Sequence, residues 1–209
     1  YLCNPNNPTG TVLPGASMRA LCLRLASRTL VVVDEAYMDF VEPGATESMV
    51  DLARGDADVV VLRTFSKIQG LAGTRVGYGI GNKELIDVLQ RTRQPFNLNS
   101  IAQAGAVAAL RDADHQTRTR DNNRVGVEYF QSAFRAMGLP YVPSHANFVL
   151  AKTGRGAAVF AALQQRGIIT RPMGSYGLPD WLRISVGTPA ENARCLVALR
   201  EVLAALPAA

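Results

Sequence analysis

The amino-acid sequence predicts an α/β protein: a layered domain on a mostly parallel sheet, followed by a smaller α+β unit. Three observations predict it. Leu30–Val33 and Val59–Leu62 are short, wholly apolar runs that end in polar pairs, Asp34-Glu35 and Arg63-Thr64. Runs without alternation are typical of parallel strands buried on both faces. Helix-length segments lie around them, which is the pattern of a layered α/β domain. The composition then changes near residue 115, where a long polar helical segment begins.

In chain order, residues 14–27 read as a helix with Pro14 near its start, a position proline tolerates. The two apolar runs follow as strands. Val76–Ile80 reads as a third strand, bounded by Gly77, Gly79 and Gly81. Helices are expected at 83–92, 100–111 and 116–137, the last stopped by Gly138-Leu139-Pro140. Beyond it come a strand at 147–151, a helix at 156–166, strands near 168–171 and at 182–186, and a helix at 190–204. The expected organisation is a larger domain over 1–115, a connecting helix over 116–137 and a small C-terminal α+β domain over 138–209.

With 209 residues, 48% of them apolar, the chain can bury a substantial core. No run of about 18 apolar residues exists, so no membrane span is expected. Three widely spaced cysteines (Cys3, Cys22, Cys195) fit no metal pattern and suggest a reduced, cytoplasmic protein. The net charge of +5 comes from arginines that are mostly scattered, with one modest cluster at Arg118, Arg120 and Arg124. Small anionic ligands account for that excess as well as nucleic acid does, and no nucleic-acid partner is expected. The start has no basic segment or cleavage site, so no signal peptide is expected. It also has no initiator methionine, and a dense motif begins at residue 4, so the chain is expected to be the C-terminal piece of a longer protein.

Lys67 is the most informative residue. Three lysines stand against nineteen arginines. Only Lys67 lies between an apolar run and a glycine-rich segment, with Ser66 beside it and Arg75 beyond. An amine there can do covalent chemistry, and a hydroxyl and a guanidinium nearby suit a phosphate. Asp34 ends a strand, where α/β sheets bind ligands, and could pair with a cationic ring nitrogen. It could equally cap the next helix, with Tyr37 packed in the core. Asn4–Gly10 is a turn sequence that could be purely structural. Arg75 could make a surface salt bridge. Arg171 and Arg183 lie in strand-like segments, and Arg183 alternates away from Leu182 and Ile184. A buried guanidinium needs an anion, either a ligand or a carboxylate of this chain. His145 reads as structural and His115 as a solvated helix position.

Six segments carry a resemblance: Asn4–Gly10, Val32–Tyr37, Thr64–Gly79, Gln94–Gln103, Ala146–Val149 and Leu182–Thr188. In this order they resemble the fold-type I aminotransferases that use pyridoxal 5′-phosphate (PLP), and among these most resemble the histidinol-phosphate aminotransferases. The resemblance implies a three-layer PLP-transferase large domain, present in part, and a small C-terminal domain. It implies that Lys67 forms the Schiff base and shuttles a proton, and that Asp34 pairs with the ring nitrogen. Asn7 and Tyr37 would bond the ring's phenolic oxygen. Thr64, Ser66 and Arg75 would hold the phosphate, and Arg183 and Arg171 would bind anionic amine and oxoacid substrates. The implied reaction is transamination of histidinol phosphate with 2-oxoglutarate in histidine biosynthesis, by a cytoplasmic homodimer. Alternatives are an aromatic amino-acid transaminase, a phosphothreonine decarboxylase of the same subgroup, or a non-catalytic PLP-binding fragment. Gln69 departs from the family, which often has tyrosine there. The family's N-terminal portion, which precedes this point, contributes part of the pocket.

Overall fold

The computed structural model describes residues 1–206. The chain divides into two compact units. One comprises residues 1–6 and 12–120, the other residues 7–11 and 121 onward.

The first unit is built on a four-stranded sheet in the order β1-β2-β3-β4: Leu2–Cys3, Val31–Asp34, Val59–Thr64 and Gly77–Ile80. The first three strands are parallel, with Cys3 opposite Asp34 and Asp34 opposite Leu62. Val31, Val33, Val59 and Val61 project to one face. There they pack with Met18 and Cys22 of α1 (Gly15–Ala26) and with Met49 and Ala53, the latter in α2 (Val50–Arg54). Burying each of the valines and methionines is worth roughly 1.5–3 kcal/mol. β4 runs antiparallel to β3. The expected third strand is therefore present but reversed. The connection from Thr64 to Gly77 contains only tight turns and one 3-10 turn (Ala72–Thr74), too little for the crossover that a parallel pair needs.

Two helices match their expected spans, α3 (Lys83–Thr92) and α4 (Ser100–Arg111), and both are capped by asparagine side chains, Asn82 and Asn99. α4 packs Ala102 and Ala106 on Phe65 and Val76. The long helix α5 (Ala113–Ala136) starts three residues earlier than its pattern suggested, because Asp112 Oδ1 accepts from His115 N at 2.9 Å and caps it. α2 was not foreseen: five residues are too few to show a period.

The second unit holds an antiparallel sheet in the order β5-β6-β8-β7: Tyr141–Val142, Phe148–Lys152, Trp181–Ser185 and Arg171–Pro172. Its core joins Phe130 and Phe134 of α5, Val149 and Ala151, Leu182 and Ile184, Val159 and Leu163 of α6 (Gly156–Gln164), and Leu196, Leu199 and Val202 of α7 (Pro189–Ala205). β7 falls later than expected. Gly167 (φ +71°) and Ile168 are used to stop α6, with Ile168 N bonding Leu163 O and Gly167 N bonding Gln164 O. α7 opens with a complete capping box between Thr188 and Glu191, with Pro189 in its first turn. Among the described residues no helix is long and apolar enough to cross a membrane.

Candidate active site

The parallel strands of the first unit end side by side, which places their C-terminal residues at one edge of the sheet. Asn4 N bonds Asp34 O at 3.0 Å and Glu35 N bonds Leu62 O at 3.0 Å, so the three chains leave the sheet in register. Asp34 ends β2. Its Oδ1 accepts from Ala36 N at 2.9 Å, a local turn and not a helix cap, and its other oxygen has no partner among the described residues. Glu35 turns the opposite way. It is buried, and it accepts from Met49 N (2.6 Å), Ser48 Oγ (2.8 Å) and the Arg63 guanidinium (2.7 Å). Arg63 also reaches Asp39 at 3.2 Å. This ion pair locks the ends of β2 and β3 together beside Asp34.

β3 ends at Thr64, whose hydroxyl accepts from Ser66 N at 3.0 Å. Lys67 follows in a turn closed by Gly70 N to Lys67 O and Leu71 N to Phe65 O, both 2.9 Å. Gly70 (φ +70°) permits that turn. The Lys67 amine makes no ion pair among the described residues, and its Nζ stands 5.0 Å from the centroid of the buried Tyr37 ring. Arg75 adopts a left-handed conformation (φ 58°, ψ 43°), a strain of about 1–3 kcal/mol for a residue with a side chain. Its Nη1 donates to Ala72 O at 2.8 Å, not to a carboxylate.

In the second unit, Arg171 and Arg183 are direct cross-strand partners in β7 and β8. Like charges directly opposite repel unless an anion compensates. Neither makes an ion pair with a carboxylate among the described residues. Arg183 Nη1 donates to Asn7 Oδ1, its guanidinium carbon lies 4.8 Å from the Phe148 ring centroid, and its Nε is buried without a partner. The turn carrying Asn7 is itself anchored in this unit, by His145 N bonding Gly10 O at 2.8 Å. Burial lifts the Cys195 thiol to about 11, so this cysteine stays protonated and is no nucleophile.

The structure thus gathers Asp34, Tyr37, Thr64, Ser66, Lys67 and Arg75 in the first unit, and Asn7, Arg171 and Arg183 in the second. Two participants escaped the sequence reading. Phe148 lies under Arg183. His115, expected to be solvated, bonds the carbonyl of Ile68. Neither pairing leaves a local signal in the sequence.

This arrangement suits the class of enzymes that hold a phosphorylated cofactor at the strand ends of an α/β sheet and bind anionic substrates through arginine. The chain belongs to the aminotransferase class I and II family, whose pattern matches residues 1–199. A histidinol-phosphate aminotransferase of Akkermansia muciniphila is 48% identical over 204 residues, covering 97% of this chain and 55% of that protein. One of Symbiobacterium thermophilum is 50% identical over 205 residues, covering 97% of this chain and 56% of that protein. The crystal structure of the Sinorhizobium meliloti histidinol-phosphate aminotransferase in complex with PLP superimposes with a TM-score of 0.85 at 30% identity, over 99% of this chain and 57% of that one. The chain spans about half the length of the curated relatives it matches.

The residues present fit PLP. An amine without an ion pair, a carboxylate oxygen without a partner, and a guanidinium with only a backbone partner are groups of the kinds that would take an aldehyde, a cationic ring nitrogen and a phosphate.

Proposed function

We propose that this chain is part of a PLP-dependent aminotransferase that transfers the amino group between histidinol phosphate and 2-oxoglutarate. The observation that carries the reading is Lys67: a lysine without an ion pair, three residues past the end of β3, beside a parallel strand that ends in Asp34. The high identity to histidinol-phosphate aminotransferases supports the substrate. Bound PLP supplies an electron sink for the charge that develops when the substrate carbon loses its proton. The chain supplies the rest. Lys67 Nζ would take the proton from the substrate carbon and deliver it to the cofactor's C4′. The Asp34 carboxylate holds a proton on the ring nitrogen. Thr64, Ser66 and Arg75 would hold the phosphate, and Tyr37 would bond the phenolic oxygen, a role the resemblance gives to Asn7 as well. Arg183 and Arg171 bind the phosphate of one substrate and the carboxylates of the other. The orphaned Arg183 Nε and the like-charged pair across β7 and β8 support this, because both are relieved by a bound anion.

In the full-length protein, Arg183→Ala is expected to raise KM for both substrates. One lost charge-assisted bond is worth roughly 1.5–3 kcal/mol, or roughly ten- to 150-fold. Steady-state kinetics with each substrate checks this, and an unchanged KM for both would remove Arg183 from the site. We also propose a homodimer. Phe96 is almost fully exposed, and Val88, Leu89, Ile101, Val107 and Leu110 of α3 and α4 are exposed as well, apolar side chains that a second copy would cover. Sedimentation equilibrium of the full-length protein should give twice the mass of one polypeptide; a single-polypeptide mass at micromolar concentration would contradict it.

A further inference from the structure

We propose that His115 is a positioning residue for Lys67. The inference rests on the reading of Lys67 as the working amine. The turn that presents Lys67 has two local hydrogen bonds, Gly70 N to Lys67 O and Leu71 N to Phe65 O. Local bonds close a turn but do not fix it to the body of the protein. The Ile68 carbonyl, one residue past the lysine, does that. It lies 3.1 Å from His115 Nε2 in the first turn of α5, 47 positions along the chain. A carbonyl only accepts, so Nε2 carries the proton and donates.

The imidazole is itself placed. Asp112 Oδ1 holds the His115 backbone N–H at 2.9 Å, and Thr119 Oγ1, one turn on, lies 3.4 Å from the same ring nitrogen. A β-carbon built at Gly70 would sit 3.7 Å from Nε2, so the ring rests against the turn at ordinary contact distance. Ile68 is fully buried, which leaves its carbonyl little access to water as a substitute partner. His115 therefore fixes the peptide plane after Ile68, and through it the point from which the Lys67 side chain springs. Rates of proton transfer are sensitive to such placement: a displacement of about 1 Å can cost roughly a hundredfold.

The test uses His115→Ala, His115→Gln and His115→Asn in the full-length protein. A glutamine amide nitrogen can occupy the place of Nε2, whereas an asparagine amide nitrogen mimics Nδ1 and falls short. Hydrogen exchange of the Gly70 and Leu71 amides, measured without PLP, should be roughly tenfold faster in His115→Ala and His115→Asn and restored in His115→Gln, as expected for the loss of one such bond. With PLP bound, kcat should fall roughly ten- to a hundredfold in the first two variants with KM for both substrates unchanged, because the arginines are untouched. Unchanged amide exchange in His115→Ala, equal rescue by asparagine and glutamine, or faster exchange with an unaltered kcat would each overturn the proposal. Failure of the functional reading is distinct: it would show as transamination surviving in Lys67→Ala, whatever the exchange data say.

Discussion

Replacing Lys67 by alanine is expected to abolish transamination and leave the fold intact. The two outcomes separate because of where the lysine sits. It is partly exposed, it makes no ion pair among the described residues, and its turn is closed by backbone bonds that alanine retains. Substitutions of this kind usually change stability by less than about 0.5 kcal/mol. The chemistry has no substitute. Losing a positioned proton-transfer group costs roughly 10²–10⁴-fold in rate, and losing the covalent attachment adds to that. Arginine does not rescue, since a guanidinium stays protonated and can neither attack an aldehyde nor accept a proton. Steady-state kinetics together with thermal unfolding checks both halves. Near-normal turnover in Lys67→Ala would refute the assignment, and collapse of the fold would show a structural role instead.

Glu35→Ala is expected to be the more damaging change for stability, although Glu35 is only one residue from Asp34. Its carboxylate is 1% exposed and satisfies the Arg63 guanidinium, the Ser48 hydroxyl and the Met49 backbone N–H at once. Burying two charges is costly, and here the cost is offset by that set of bonds. Deleting the carboxylate leaves Arg63, itself 15% exposed, with only the partly exposed Asp39 and Ser48. Breaking a buried pair from one side costs roughly 3–5 kcal/mol. Glu35→Gln should cost less, because an amide oxygen still accepts from Met49 N. Urea unfolding of the variants checks this, and a loss below about 1 kcal/mol for the alanine would mean that the pair does not brace β2 against β3.

Much of this architecture is legible in the sequence for identifiable reasons. β3 reads as an apolar run because Val59, Val60 and Val61 are all buried, and β2 because Val31 and Val33 are buried with Val32 half-buried between them. α3 and α4 announce themselves through asparagine caps, and α7 through its Thr-Pro-x-Glu start. The family resemblance lies in short segments, several of them in turns and at strand ends. What stayed hidden is non-local. The reversal of β4 depends on how little chain connects it to β3. The short β7 depends on Gly167 and Ile168 being used to stop α6. The Arg183–Asn7 bond joins residues 176 positions apart, and the His115–Ile68 bond joins residues 47 apart. No periodicity or motif reports such pairs. Arg183 could be placed opposite the apolar face by alternation, yet only the structure pairs it across the sheet with Arg171 and leaves its Nε without a partner.

The central claim is that Lys67 carries the cofactor. It is tested most directly by treating the full-length protein with PLP and then borohydride, digesting it, and mapping the pyridoxyl group by mass spectrometry. The chain offers three lysines as acceptors, Lys67, Lys83 and Lys152. Lys83 is paired with Asp87 on an exposed helix, and Lys152 ends β6 facing Asp180 at 4.0 Å. Stoichiometric label on Lys67, absent from the other two, is the predicted result; label on Lys83 or Lys152, or none on Lys67, would contradict it.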